Sequence, residues 1–233
     1  MKQKVSIPFM LLGILFCVCL ITSNLLETKV IQVFGLTLTA GFLVFPISYI
    51  LNDCIVEVWG FKKASLVIWC GFAMNFLVMA FTGIAVALPS APFWEGAEHF
   101  NYIFGLAPRI VVASLCAFLV GSFLNAYVMS KMKVKQAGKS FSVRAIASTI
   151  VGETSDSIFF FPIAFGGLVT WKELLIMAVT QVILKSMYEV IVLPLTVTVV
   201  RKIKNYEGVD VYDTNVSYNI FKFTKSSKNE SLS

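Results

Sequence analysis

Charge is scarce in this chain: 14% of its 233 residues are charged while 58% are hydrophobic, against roughly 25% charged in a soluble domain. That shortage excludes a soluble globular protein and points to a polytopic membrane protein. Histidine occurs once, as His99, outside the apolar runs, so no histidine-based catalytic or metal site is expected within a span. The five cysteines, Cys17, Cys19, Cys54, Cys70 and Cys116, lie in apolar segments. They lack the spacing of a metal site or a secreted disulfide framework and read as small hydrophobes. No Gly-x-x-x-x-Gly-Lys loop is present, so any ATP hydrolysis must come from a partner. The net charge of +6 would suit nucleic acid, but the lysines and arginines fall mostly in loops and tails, where membrane topology accounts for them. No nucleic-acid partner, cofactor, metal or catalytic residue is assigned.

What is abundant is apolar sequence in runs of span length. About 20 apolar residues cross a bilayer, and six windows qualify, at roughly 5–26, 36–58, 64–88, 107–130, 145–169 and 173–200. The expected fold is all-α, an integral membrane bundle of six transmembrane helices over residues 1–204, followed by a polar, mobile tail over 205–233. The first run has no small-residue cleavage pattern and reads as a retained span. Lys2, Lys4, Lys62, Lys63, Lys131, Lys133, Lys135, Lys139, Arg144, Arg201, Lys202 and Lys204 lie on alternate connections. Positive charge collects on the cytoplasmic side, so both termini are expected there, in the inner membrane. The opposite loop holds Phe93, Trp94, His99, Phe100, Tyr102 and Phe104, an aromatic belt or the cover of an entrance.

Against this background, acids inside the spans are conspicuous, because a charge at the bilayer midplane costs roughly 2.5–3.5 kcal/mol even on insertion scales and usually faces a protein or water interior. Asp53 and Glu57 are four apart and share a helix face; Glu57, near Lys62 and Lys63, also reads as a residue reaching the membrane edge. Pro46 precedes Tyr49 on the same segment and would break the helix locally. Glu153 and Asp156, with Ser155 between them, are neighbours three apart, and adjacent carboxylates can bind a cation, a proton or a ligand's donor groups. Gln181, Lys185 and Glu189 form a stripe at intervals of four, which a structural ion pair would also explain. Asn24, Asn75 and Asn125 are single amides in spans, and Arg109 opens the fourth span. Ala113, Ala117 and Gly121 form a small-residue row for close packing. Acids outnumber bases in this interior, which favours a cationic or donor-rich solute. A carboxylate accepts two parallel hydrogen bonds from an amidine-like edge such as that of guanine, and aromatic rings stack on its faces.

Ser23-Asn24, the run Pro46-x-x-Tyr49-x-x-x-Asp53-x-x-x-Glu57-x-Trp59-Gly60, the run Gly152-Glu153-x-Ser155-Asp156 before phenylalanines, and Lys185 together resemble the VUT (YhhQ) family of queuosine-precursor transporters. The resemblance spans about residues 20–200. It implies uptake of a 7-deazaguanine base: 7-cyano-7-deazaguanine, 7-aminomethyl-7-deazaguanine or queuine. The substrate-binding residues it implies are Asn24, Tyr49, Asp53, Glu57, Ser155, Asp156 and Lys185, to which the residue pattern adds Glu153 and Glu189. Asp156 or Asp53 would accept the pyrimidine edge, with Phe45, Tyr49 and Phe159 as stacking walls. Glu153 stands where the family pattern has Asn, an added charge that would favour the aminomethyl base or couple protons. Two other readings are a substrate-binding component of an ATP-driven uptake complex and, of a different class, an intramembrane carboxylate hydrolase. The expected partners are the small-molecule base and the lipid bilayer; a homo-oligomer or an energising partner is left open.

Overall fold

The computed structural model describes residues 6–26, 29–33, 36–105, 108–167, 170–214 and 216–221. Its helices are α1 (Ile7–Leu26), α2 (Phe45–Trp59), α3 (Phe61–Ala87), α4 (Ala97–Phe104), α5 (Pro108–Lys135), α6 (Phe141–Phe165) and α7 (Trp171–Glu207). Five segments are long and apolar enough to cross a membrane, those of α1, α2 with its preceding turn, α3, α5 and α7. Helix α6 is 25 residues long and packs along α5 and α7; its polar residues lower its hydropathy, not its reach. The all-α bundle expected from the apolar runs is the architecture observed, with α4 as a short additional helix in the α3–α5 connection.

The second span departs from the uniform helix expected over 36–58. Val30–Val33 and Leu36–Thr39 pair as an antiparallel hairpin, β1 and β2, a 3₁₀ turn covers Ala40–Leu43, and α2 begins only at Phe45. Pro46 therefore stands in the first turn of α2 rather than breaking a longer helix. Proline lacks an N–H, and that donor has no intrahelical partner in a first turn anyway.

Helix α2 is the hub. Nearly every residue from Phe45 to Val58 is buried, and α2 contacts α1, α3, α5, α6 and α7, as suits a helix apolar around most of its circumference. Phe16, Leu20, Tyr49, Ile55, Phe61, Ile68, Phe118 and Met129 belong to the apolar core around it. Helix α7 is the opposite case: it packs on α6 and α2 and exposes Leu175, Ile176, Ile183, Met187, Ile191 and Leu195, an apolar face that suits lipid. Its 37 residues make about 55 Å of helix, longer than the ~30 Å hydrocarbon core, so one end carries Arg201, Lys202 and Lys204 beyond it.

The polar tail was expected to be mobile from residue 205. Helix α7 runs on to Glu207, and residues 208–214 and 216–221 lie across the basic end of the bundle. Val211 N–H donates to Val58 O, and the Asp213 carboxylate accepts from Phe61 N–H at 2.8 Å and Ser130 at 2.5 Å. Tyr218 packs on Phe61, and the Trp69 indole N–H donates to Ile220 O. The strap holds because it caps the one-residue α2–α3 turn, where Gly60 has φ +81° and a Cβ would meet the Asp213 carboxylate at 2.8 Å. Residues 222–233, like Lys2 and Lys4, lie outside the described residues.

Candidate functional site

Three helices bring polar side chains to one place, and they do so in register. Helix α2 contributes Phe45, Tyr49, Asp53 and Glu57 at intervals of four; α6, running the other way, contributes Asp156, Glu153, Thr149, Ser148 and Arg144; α7 contributes Lys185 and Glu189. Spacings of three and four keep each set on one face, so the cluster is layered in steps of one helical turn. Behind it α5 supplies Asn125, whose side-chain oxygen accepts from Asn52 at 2.8 Å.

The first layer holds Phe45, Tyr49, Glu153, Asp156 and Lys185. The Lys185 ammonium is 2.8 Å from Glu153 Oε2 and 3.8 Å above the centre of the Phe45 ring. The Phe45 and Tyr49 rings are tilted at 5.6 Å. Tyr49 is set by a close helix crossing: a Cβ on Gly152 would come within 2.7 Å of the Tyr49 ring, 2.9 Å of Asn125 Cβ and 3.0 Å of Gly121 O. The second layer holds Asp53, Ser148, Thr149 and Glu189. Ser148 donates to Asp53 at 3.3 Å, and Glu189 stands beside Asp53 and Thr149.

Both layers are buried and incompletely paired. Asp53 and Glu153 are fully buried, and Tyr49, Asp156 and Glu189 nearly so. Among the described residues, the buried side-chain atoms without a hydrogen-bond partner include Tyr49 Oη, Asn52 Oδ1, Glu153 Oε1 and Ser157 Oγ, whereas Thr149 and Glu189 face each other and Asn125 faces Asp53. Folded proteins leave few buried polar groups unmatched, so these four are groups left for a polar ligand to satisfy. Donors and acceptors are mixed there, and four carboxyl groups face a single ammonium.

The third layer is different in kind. Glu57 is fully enclosed and takes Arg144 at 2.6 Å and Lys204 at 2.6 Å, with Lys133 at 3.8 Å. Lys133 also donates to the Glu57 backbone carbonyl and to Val211 O. Asp210 of the strap closes the network on Lys133 at 2.5 Å and Lys204 at 2.9 Å. Partial burial works against the charge of Asp210, but hydrogen bonds from Lys133 and Lys204 outweigh it and hold its carboxyl below the usual range. This network ties α2, α5, α6, α7 and the strap together at the basic end.

The nine expected site residues thus divide. Tyr49, Asp53, Glu153, Asp156, Lys185 and Glu189 converge in the first two layers. Glu57 sits one turn away in the ion network, its oxygens already taken by cations. Ser155 lies on the other side of α6, its hydroxyl bonded to Val151 O at 2.7 Å. Asn24 ties α1 to α5 by accepting from Ser114 at 3.2 Å. Of the stacking walls, Phe45 is buried in the first layer whereas Phe159 is 43% exposed. The Arg109 side chain lies outside the described residues. Sequence reasoning passed over Ser148, Thr149 and the buried role of Arg144, which it counted as a loop charge. The signal was there: Arg144, Ser148, Thr149, Gly152, Glu153 and Asp156 follow one helical stripe.

A multi-pass bundle around a buried polar cluster is the architecture of the class to which membrane transporters belong. The chain belongs to the family described as "Putative vitamin uptake transporter", whose profile matches residues 39–199. It is 26% identical over 189 residues to a "Probable queuosine precursor transporter" of Bacillus subtilis (strain 168), covering 80% of this chain and 82% of that protein. It is 28% identical over 155 residues to the "Queuosine precursor transporter" of Escherichia coli (strain K12), covering 65% of this chain and 66% of the relative. A "Probable queuosine precursor transporter" of Haemophilus influenzae (strain ATCC 51907 / DSM 11121 / KW20 / Rd) is 28% identical over 127 residues, 54% of this chain and 52% of that protein. No solved structure matches. The relatives are named as transporters, in keeping with a protein that is not an enzyme.

Proposed function

We propose that this protein imports a queuosine precursor, a guanine-like 7-deaza base, across the inner membrane, with both termini in the cytoplasm. The observation that carries this reading is the concentration of buried acceptors and donors at Glu153, Asp156, Glu189, Tyr49, Thr149 and Ser157, of which Glu153, Tyr49 and Ser157 carry unmatched atoms. A guanine edge needs that mixture: a carboxylate for the ring N–H and exocyclic amine, and hydroxyl donors for the ring nitrogen and carbonyl oxygen. Asp156 is the acceptor of choice for the amidine edge, and the Tyr49 and Phe45 rings offer faces for stacking. The names of the relatives support the same solute. The basic end, with Lys62, Lys63, Lys131, Lys133 and Lys204, faces the cytoplasm by the distribution of positive charge. The transporting unit is residues 1–204 with the strap clamped beneath it.

Uptake of radiolabelled 7-cyano-7-deazaguanine or its aminomethyl analogue into a host lacking its own importer tests the reading, as does restored queuosine in that host's transfer RNA. No uptake by well-expressed protein overturns it. Asp156→Asn should lower uptake by about ten- to a hundredfold, the loss of a charge-assisted pair of hydrogen bonds, with the amount of protein in the membrane unchanged by surface labelling.

A further inference from the structure

An ammonium lying on an aromatic face and against a carboxylate is the arrangement by which proteins recognise amines, and here the ammonium belongs to the protein itself. Lys185 Nζ lies 3.8 Å from the Phe45 ring centre and 2.8 Å from Glu153 Oε2. Glu153 is fully buried and Phe45 nearly so. The other carboxyl oxygen, Glu153 Oε1, has no hydrogen-bond partner, nor has Tyr49 Oη next to it. Asp156 is one turn further along the same face of α6. The buried cluster around Phe45 therefore holds more acceptor capacity than one lysine uses. Lysine reaches the cage on a flexible four-carbon stem from α7, which packs mainly on α6 and α2.

We infer that Phe45 and Glu153 form an ammonium subsite for the substrate, with Lys185 as its resident occupant, displaced when a planar base bearing a protonated primary amine enters. A tethered ammonium acts as an internal competitor at high effective concentration. The lysine then serves two states: it neutralises Glu153 while the site is without substrate, and it yields the cage to a cation on loading. A neutral base of the same ring gains nothing from the cage and leaves Lys185 in place. Lys185, Glu153 and Phe45 are specificity-determining residues in this scheme, and Asp156 holds the ring edge in either case.

The inference rests on the proposed function for the identity of the base, and the test separates the two. Competition uptake between the aminomethyl (cationic) and cyano (neutral) 7-deazaguanines is measured for the wild type, Lys185→Met and Phe45→Leu. Removing the competitor should raise the preference for the cationic base by about tenfold, and Phe45→Leu, which keeps the ion pair, should lower the wild-type preference. An unchanged or reversed ratio in both variants, with the neutral base still carried, overturns the subsite while the transport reading stands. In parallel, purified wild type and Lys185→Met in detergent are titrated with benzylammonium and with benzyl alcohol, and thermal unfolding is followed. Greater stabilisation of Lys185→Met by benzylammonium alone, lost in the Glu153→Gln/Lys185→Met double variant, supports the subsite even if neither base is carried. Equal responses to the two probes overturn it.

Discussion

At the residue scale, the ion network and the site obey different rules although Asp53 and Glu57 lie one turn apart. Arg144 and Glu57 are both fully enclosed, and removing one partner leaves an uncompensated buried charge. Glu57→Ala should therefore cost about 3–5 kcal/mol, read as earlier unfolding in detergent. A double variant with Arg144→Met should recover part of that loss, because it removes the stranded charge as well. Gly152 makes a contrasting case with no charge involved. Its missing Cβ lets Tyr49, Asn125 and the Gly121 carbonyl meet, so Gly152→Val should overpack the α5–α6 crossing and cost about 1–3 kcal/mol. Because Tyr49 would shift with the crossing, uptake should fall further than unfolding temperature alone would suggest. Gly121 was legible as part of a small-residue row; that its row meets Gly152 beneath Tyr49 was not, since no spacing within one helix names its neighbour.

At the scale of elements, the strap formed by residues 208–214 and 216–221 lies against the bundle. Its composition is polar, which usually means a solvated tail, yet Asp210, Asp213 and Tyr218 each meet a partner on the bundle. Asp213→Ala should release the Phe61 N–H and Ser130, costing about 1–3 kcal/mol and exposing residues 208–221 to protease. The strap should also loosen in acid. Since the Asp210 carboxyl is held below its ordinary value by Lys133 and Lys204, its contribution is complete above about pH 3.9, the usual aspartate value. It is lost as pH falls through the lowered one. Limited proteolysis of the tail against pH, with Asp210→Asn as the insensitive control, checks this. The start of α2 teaches a related lesson: Pro46 signals an irregular backbone, which the sequence reading put within the helix and the structure puts before it.

At the scale of the whole molecule, the bundle is organised inside out relative to a soluble protein. Apolar side chains of α1, α3 and α7 face outward, and the most polar layers lie at the crossing of α2, α6 and α7. Lipid gives no hydrophobic drive for helix association, so packing of small residues and interhelical hydrogen bonds hold the bundle. Positive charge collects on the cytoplasmic side, which gives the proposed orientation. Reporter fusions at the two ends of the chain should both read cytoplasmic, while a cysteine introduced at Glu98 on α4 should be labelled from outside intact cells. Opposite labelling would invert the topology.

The helical bundle and the stripe of acids follow from sequence alone, because period 3.6 and span length are properties of one segment and the bilayer imposes them directly. Asp53, Glu153, Asp156, Lys185 and Glu189 were visible for the same reason: a charged group in an apolar run is costly wherever it packs. Tertiary structure decided which of these polar groups meet. It sent Glu57 to Arg144 and Lys204, turned Ser155 away, brought Ser148 and Thr149 in, and laid the tail across the basic end. Those outcomes depend on the rotation and crossing of separate helices, and a pairing between α2 and α7, more than a hundred residues apart, leaves no periodic trace in either.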